Sequence, residues 1–411
     1  MGKAEKIPEG YRVTEAGILP VDWQVKRLSE VATALTERAG RDKYETVSIS
    51  AGVGFVNQAE KFGKELSGKQ YEKYIVLHKG DFSYNKGNSK TFPQGCIYRL
   101  NDRETAAVPS VFESFRIEDQ NADYYEQLFL SGFLNKQLYS KINRGVRDDG
   151  LLNLTGKDFY SCMVPVPPIA EQKKIAGILA QCDKVIELKQ QRLEAEVECK
   201  KWMMNQLLHH PEKYRVPGFY GNWENATIGS VTSSFSGGTP TSSNSCYYSH
   251  QGIPFIRSGE IGESKTELYL SDQGFANSAA KMVKKGDLLY ALYGANSGEC
   301  FISKIDGAIN QAILCIRSET IDIRFLYYVL ASMKEWIVAT YLQGGQGNLS
   351  GAIIKKLKIS YPQKDEQQAI VKIIYSQDIV IDKLREELKK LEERKKALMQ
   401  LLLAGIVRVS I

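Results

Sequence analysis

One long stretch occurs twice in this chain, and that repeat constrains the fold more than any other feature. Asn153-Leu154-Thr155-Gly156 leads through Pro167 to Glu171-Gln172, then into a helical run ending near Leu208. Asn348-Leu349-Ser350-Gly351 leads in the same way through Pro362 to Glu366-Gln367 and a run ending near Leu403. Leu154 and Leu349, Pro167 and Pro362, and Glu171 and Glu366 all stand 195 positions apart (366 less 171, for one), so the block repeats without a gap. Such a duplication predicts two similar halves related by a pseudo-two-fold axis.

After each Glu-Gln pair, the seam positions step by four and three. In the second copy they are Ile370, Ile374, Gln377, Ile381, Leu384, Leu388, Leu391, Lys395, Leu398 and Leu402; in the first they are Ile175, Leu179, Cys182, Ile186, Lys189, Leu193, Glu196, Lys200, Met203 and Leu207. This is a heptad seam, which keeps one narrow stripe against a partner helix. Each helix would span roughly 50–60 Å at about 1.5 Å per residue. Two amphipathic helices packed on separate domains are the plainer alternative. A coiled pair of the two copies is preferred because each stripe otherwise has no cover, and the polar seam residues Gln377, Lys395, Glu196 and Lys200 would then set register.

With 411 residues the chain is too long for one core. Its 43% hydrophobic and 25% charged content are those of an ordinary globular protein. No apolar run approaches the ~20 residues that span a bilayer, and residues 1–9 hold no apolar core of a secretory signal. Seven scattered cysteines without a Cys-x-x-Cys pair read as free thiols. A cytoplasmic location is expected. A net charge of +6 permits phosphate neutralisation without demanding it.

The repeat reaches beyond the helices. Pro8-Glu9-Gly10-Tyr11-Arg12-Val13 recurs as Pro211-Glu212-Lys213-Tyr214-Arg215-Val216, and Trp23, Leu28 and Val31 match Trp223, Ile228 and Val231. Residues 74–77, 95–98 and 312–316 read as strands, Lys79-Gly80-Asp81 and Lys285-Gly286-Asp287 as turns, and residues 124–138 and 323–341 as helices. The fold class is therefore α+β: two globules of mixed α/β structure joined by two long helices that pair as a coiled coil. The expected boundaries are a first globular domain at 1–155, a helical spacer at 156–210, a second globular domain at 211–350 and a second spacer at 351–411. The frame is duplicated while the globule contents diverge, which suits one job done twice on two different targets.

No catalytic constellation is present. The sequence lacks a phosphate-binding loop, a dinucleotide fingerprint and the Asn-Pro-Pro-Tyr type of motif that grips a base for methylation. His78, His209, His210 and His250 lack ligand or triad spacing, and Asp148-Asp149 reads as a solvated loop. Neither a catalytic nor a metal residue is assigned, and no cofactor is expected on this chain. What remains are polar, glycine-rich loops. In the first globule the candidates for DNA contact are Tyr84, Asn85, Lys86, Asn88, Ser89 and Lys90, with Arg144 and Arg147 before the helix. In the second they are Ser236, Gly237, Gly238, Thr239, Arg257, Ser258, Glu260, Tyr293, Asn296 and Ser297, with Gln343 and Gln346 before the helix. Glycine allows close backbone approach, cations neutralise phosphates, and amides read base edges. A surface turn is the competing reading for each loop.

Taken in order, these motifs resemble those of the specificity subunit of type I restriction-modification systems. The resemblance rests on the doubled Pro-x-x-x-Glu-Gln block opening a long helix and on Leu401-Leu402-Leu403-Ala404-Gly405-Ile406 closing the second. Ser236-Gly237-Gly238-Thr239-Pro240, Ile253-Pro254-Phe255-Ile256 and Lys285-Gly286-Asp287-Leu288 add to it. The match spans nearly all of the chain, although the first globule lacks the Gly-Gly-Thr-Pro loop. The resemblance implies that the globules are target-recognition domains, each reading one half of a split, asymmetric DNA sequence, and that the two long helices pair antiparallel and hold them at a fixed distance. It implies two adenine methyltransferase (modification) subunits and restriction subunits as partners on double-stranded DNA, with S-adenosylmethionine, ATP and Mg bound by those partners. A stand-alone two-domain DNA-binding protein and a coiled-coil adaptor are the alternatives.

Overall fold

The computed structural model describes residues 7–63, 68–87, 91–142, 152–342 and 348–410. The chain divides into two compact units, Met1–Lys189 with Glu387–Ile411, and Gln190–Glu386. Four helices carry the argument: α1 (Ala122–Leu130), α2 (Ile169–His209), α3 (Ile323–Leu342) and α4 (Lys364–Leu403). The division between units falls inside α2 and α4, because each globule packs on the helix segments beside it.

The first unit is built on a four-stranded antiparallel sheet in the order Ala32–Ala34, Glu113–Ile117, Phe82–Asn85, Cys96–Arg99. Aromatic rings fill the space between this sheet and its helices. Phe82 stacks on Phe115 at 5.4 Å, Tyr84 on Phe159 at 4.7 Å, and Phe129 of α1 meets Phe82 edge-on. Such pairs contribute about 0.5–1.5 kcal/mol each beyond their area burial. A two-stranded ribbon, Gln24–Arg27 with Met163–Val166, leads directly into α2. Of the remaining strands, Tyr11–Thr14 pairs with Gly17–Pro20, and a second layer holds two further antiparallel pairs, Val47–Ser50 with Gly54–Asn57 and Ile75–His78 with Thr105–Val108.

The second unit repeats this frame. Its four-stranded sheet runs Ser233–Ser236, Ile313–Arg317, Leu288–Ala291, Cys300–Ile302, and its ribbon pairs Glu224–Thr227 with Lys358–Tyr361 before α4. What differs is the second layer. A five-stranded mixed sheet, with Ile253–Ile256 parallel to Gly307–Ile309, stands where the first unit has two pairs.

Within each unit, the segments of α2 and α4 run antiparallel. In the first, Ile175 and Leu179 share a core with Met399 and Leu402, and Asp183 and Lys189 meet Lys395 and Glu387. In the second, Met204 and Leu208 share a core with Ile370 and Ile374, and Gln377 Nε2 donates to Glu196 Oε2 at 2.6 Å. Ile175, Leu179, Ile370, Ile374, Ile381 and Leu384 are buried, whereas Ile186, Leu193, Leu388, Leu391 and Leu398 are half-buried. Toward the end of α2 the buried positions are Met204 and Leu208, one residue past the expected Met203 and Leu207. A straight helix drifts ~20° per heptad against a strict 3.5-residue repeat, which accounts for the slip.

Residues 124–138 do not form the single helix that their periodicity suggests. Helix α1 ends at Leu130, and a separate helix covers Asn135–Lys141. Gly132, at φ +76°, makes the left-handed turn that closes α1. The two Lys-Gly-Asp turns are equivalent. Asp81 and Asp287 each accept a backbone N–H three residues upstream at 2.7 Å and hold Arg116 and Arg317 through paired guanidinium contacts.

At Asp287, burial raises the pKa, but the hydrogen bonds from Arg317 and the Lys284 amide outweigh it and leave the carboxyl below its ordinary 3.8. A depressed carboxylate stabilises the fold above its unfolded pKa, and that contribution disappears as pH falls through the folded value. Acid unfolding of the second unit is therefore expected to steepen below about pH 4, and Asp287→Asn is expected to flatten this limb. Unfolding free energy measured from pH 7 down to pH 2 checks it.

Candidate nucleic-acid interface

The duplicated Glu-Gln block sits where a globule meets a long helix, and both residues are buried in both copies. Gln172 donates through Nε2 to the Pro167 carbonyl at 2.8 Å, while its Oε1 accepts the Asn121 N–H at 3.0 Å, just before α1. Gln367 does the same with the Pro362 carbonyl and the Asp322 N–H, both at 2.7 Å, just before α3. Glu171 accepts Trp23 Nε1–H at 2.9 Å and two bonds from Arg408 of the C-terminal tail. Glu366 takes Arg215 through two bonds of 2.9 and 2.8 Å. The block is thus a structural joint. It fixes the start of each long helix to its globule.

Three turns along each long helix lies a second joint. Asp183 accepts the Lys395 ammonium and Gln127 Nε2–H, the latter at 3.2 Å. Asp378 accepts Lys200 at 2.5 Å and the Tyr328 hydroxyl at 2.6 Å.

Beside Asp378 the second unit opens a cleft of about 920 Å³. Ser258, Gly259, Lys285, Asn296 and Lys304 reach it from the globule, and Arg324, Tyr327, Tyr328, Tyr375 and Arg385 from α3 and α4. Arg324 lies 5.7 Å over the Tyr375 ring, and Arg385 pairs with Asp382 at 3.1 Å. Among the described residues, the ammonium groups of Lys285 and Lys304 have no carboxylate partner. Glu263, Glu299, Asp378 and Asp382 also line the cleft, so its fit to a polyanion with stackable or edge-readable groups rests on the unpaired Lys285 and Lys304 beside aromatic rings and an amide.

The sequence candidates fall in several places. Ser258 and Asn296 line the cleft, and a Cβ at Gly259 would stand 3.4 Å from Asn296 Nδ2, so these two loops meet. Arg257 is taken by Glu260 at 3.0 Å and Glu267 at 2.5 Å, which staples its own loop. Ser297 is buried and closes a turn on Gly294, Tyr293 packs against the core, and Thr239 donates to Gln311. Ser236 ends the edge strand Ser233–Ser236 of the four-stranded sheet. Gly237 and Gly238 allow backbone packing: a Cβ there would lie 1.8 Å from the Ile309 carbonyl oxygen and 2.6 Å from Ala279 Cβ.

In the first unit, Tyr84 is corrected from a contact residue to a core residue, fully buried with its hydroxyl on the Gln94 carbonyl at 2.7 Å. Asn85 caps the turn at Gly87 and donates to the Ile49 carbonyl, while Lys86 pairs with Glu113 at 2.6 Å. Asn88, Ser89, Lys90, Arg144, Arg147, Gln343 and Gln346 lie outside the described residues. Lys285, Lys304, Arg324 and the tyrosines were absent from the sequence candidates. Tyr327 and Tyr328 stand three and four residues after Arg324 on one helix, which is the signal that could have found them.

Burial pushes the Cys162 thiol up to about 11 and that of Cys315 up to about 12, so both remain protonated at neutral pH.

The family model described as the type I restriction modification DNA specificity domain matches residues 20–198 and 220–393. The chain belongs to this family. A Methanocaldococcus jannaschii chain provisionally named as the specificity subunit of the type I restriction enzyme MjaX is 27% identical, over 98% of this chain and 97% of its own length. The MjaVIII specificity subunit from the same organism is also 27% identical, over 69% of this chain and 70% of its own. Among solved structures, a chain of a type I R-M system superposes with a TM-score of 0.61 at 17% identity, over 95% of this chain and 99% of that one. The type I S subunit of M. genitalium gives 0.56 at 14% identity, over 95% and 96%. These two likenesses establish the fold: mixed α and β units with long packed helices. As a specificity subunit, this chain is a non-catalytic component of a restriction-modification system. Among the described residues, no helix is long and apolar enough to cross a membrane.

Proposed function

We propose that the specificity subunit reads a bipartite, asymmetric DNA target, one half-site per globule, and scaffolds methyltransferase and restriction subunits in the cytoplasm. In this reading S-adenosylmethionine, ATP and Mg belong to the partners. The observation that carries it is a duplicated frame holding unlike contents. The same joints and the same four-stranded sheet recur in both units, while the second layers differ in strand number and direction. Two similar mounts with different readers suit two different half-sites. We place the backbone of the second half-site in the cleft, with Lys285 and Lys304 on phosphates and Ser258 and Asn296 toward base edges.

Each phosphate contact releases counterions, so log K falls against log salt with a slope of about −0.9 per contact on duplex DNA. Lys285→Glu with Lys304→Glu, in the complex purified from its host, is expected to weaken binding to the cognate target. The salt slope should become shallower by about two. Fluorescence anisotropy across a salt series measures both. Unchanged affinity and slope would remove the DNA backbone from the cleft, and salt-insensitive binding by the unaltered protein would favour a protein adaptor instead.

A further inference from the structure

We infer that Asp183 and Asp378 are positioning residues for target reading: each sets the angle at which its recognition domain sits on the long helices. The inference rests on the bipartite reading above.

Each carboxylate divides its two oxygens between two elements. Asp183 Oδ1 receives Lys395 of α4 and Oδ2 receives Gln127 of α1. Asp378 Oδ1 receives Lys200 of α2 and Oδ2 receives Tyr328 of α3, whose ring also lies 5.5 Å from the Lys200 ammonium. Asp183 and Asp378 are one repeat apart, and so are Lys395 and Lys200. Each carboxylate lies eleven residues past the glutamine of its Glu-Gln block, three helical turns on, and therefore on the same face.

The spacing on the globule side also matches. The glutamines hold the backbone N–H of Asn121 and of Asp322, and the aspartates hold the side chains six residues later, Gln127 and Tyr328. One attachment leaves a helix free to pivot; two attachments fix its direction. The second attachment is the adjustable one, since the glutamine is buried while the Asp183 and Asp378 side chains keep 45% and 25% of their surface exposed. The donor differs between units, an amide in one and a phenol in the other, so each domain has its own setting on a common mount. A generic helix-solvating aspartate would show neither the recurrence nor the two-way division.

Tyr328→Phe removes the globule arm and leaves the Lys200–Asp378 pair in place; Asp378→Asn weakens both arms. Both variants, purified as the assembled complex, are compared with the unaltered protein on the native target and on targets whose unread spacer is one base pair longer or shorter. Melting temperature is recorded for each. The expected result is a loss of spacer discrimination of about tenfold, because small misplacements of reacting or reading groups have effects of that order or larger. Binding to the native spacer should change about twofold or less, and Asp378→Glu should restore discrimination in part. Discrimination retained by a folded variant overturns the inference. A uniform loss on all spacers in both variants also overturns it, by showing a merely structural tie. If the unaltered protein itself ignores spacer length, the bipartite reading fails.

Discussion

Glu171→Ala is expected to destabilise the first unit by about 3 kcal/mol, in the range for removing one member of a buried, hydrogen-bonded pair. The carboxylate is fully buried and closes three bonds, one from Trp23 and two from Arg408. Its removal leaves the Trp23 indole N–H, on a fully buried ring, without an acceptor, and an orphaned buried donor costs about 1–3 kcal/mol. Arg408 retains Asp22, at 2.9 and 2.7 Å, and is partly exposed, which keeps the total below the upper end. A smaller effect is expected for Glu366→Ala. Glu366 is nearly as buried and holds Arg215 bidentately, but Trp223 Nε1 has no hydrogen-bond partner, so no indole is orphaned by the change. A fall in melting temperature of about 6–12 °C for Glu171→Ala, and roughly half that for Glu366→Ala, is the outcome to look for by calorimetry. Equal effects would mean that the indole bond contributes nothing.

Lengthening both long helices is expected to change which DNA is recognised while leaving each half-site sequence the same. Four residues inserted between Lys189 and Gln190, and four between Glu386 and Glu387, fall where the compact units divide. Each insertion adds about 6 Å of helix, against ~3.4 Å per base pair along the duplex. Antiparallel segments lengthened together keep their partners on either side, and four residues act as a local unwinding of the seam. The native target should then be lost, and methylation should appear at the same two half-sites separated by a spacer one or two base pairs longer. Methylation at the native target with undiminished rate would contradict the ruler.

Much of this frame was legible because it is written twice at a constant spacing. A 195-residue offset aligned the Glu-Gln blocks, the seam and the polar seam residues before any contact was known. Gln377, Lys395, Glu196 and Lys200 all make polar contacts between α2 and α4. Asp183 and Asp378 share the same offset, yet they lie beside the seam, where a charged residue is ordinarily solvated, so their partners on α1 and α3 could not be read. The mixed five-stranded sheet was invisible for a different reason. Its strands pair across long loops, and nothing local in Ile253–Ile256 announces a parallel neighbour at Gly307–Ile309. The polar loops misled where burial was hidden: Tyr84 belongs to a strand covered on both faces, and Gly237 makes room for a neighbouring carbonyl. The cleft combines residues more than a hundred positions apart, a juxtaposition only the fold supplies.

The most direct test of the central claim is a genome-wide map of methylated adenines in the host, with and without this gene. The bipartite reading predicts the loss of one motif made of two unlike half-sites at a fixed separation. Exchanging either globule for that of another family member should change one half-site and spare the other. An unchanged map in a host whose other subunits are active, or a motif that shifts in both halves when one globule is exchanged, would contradict it.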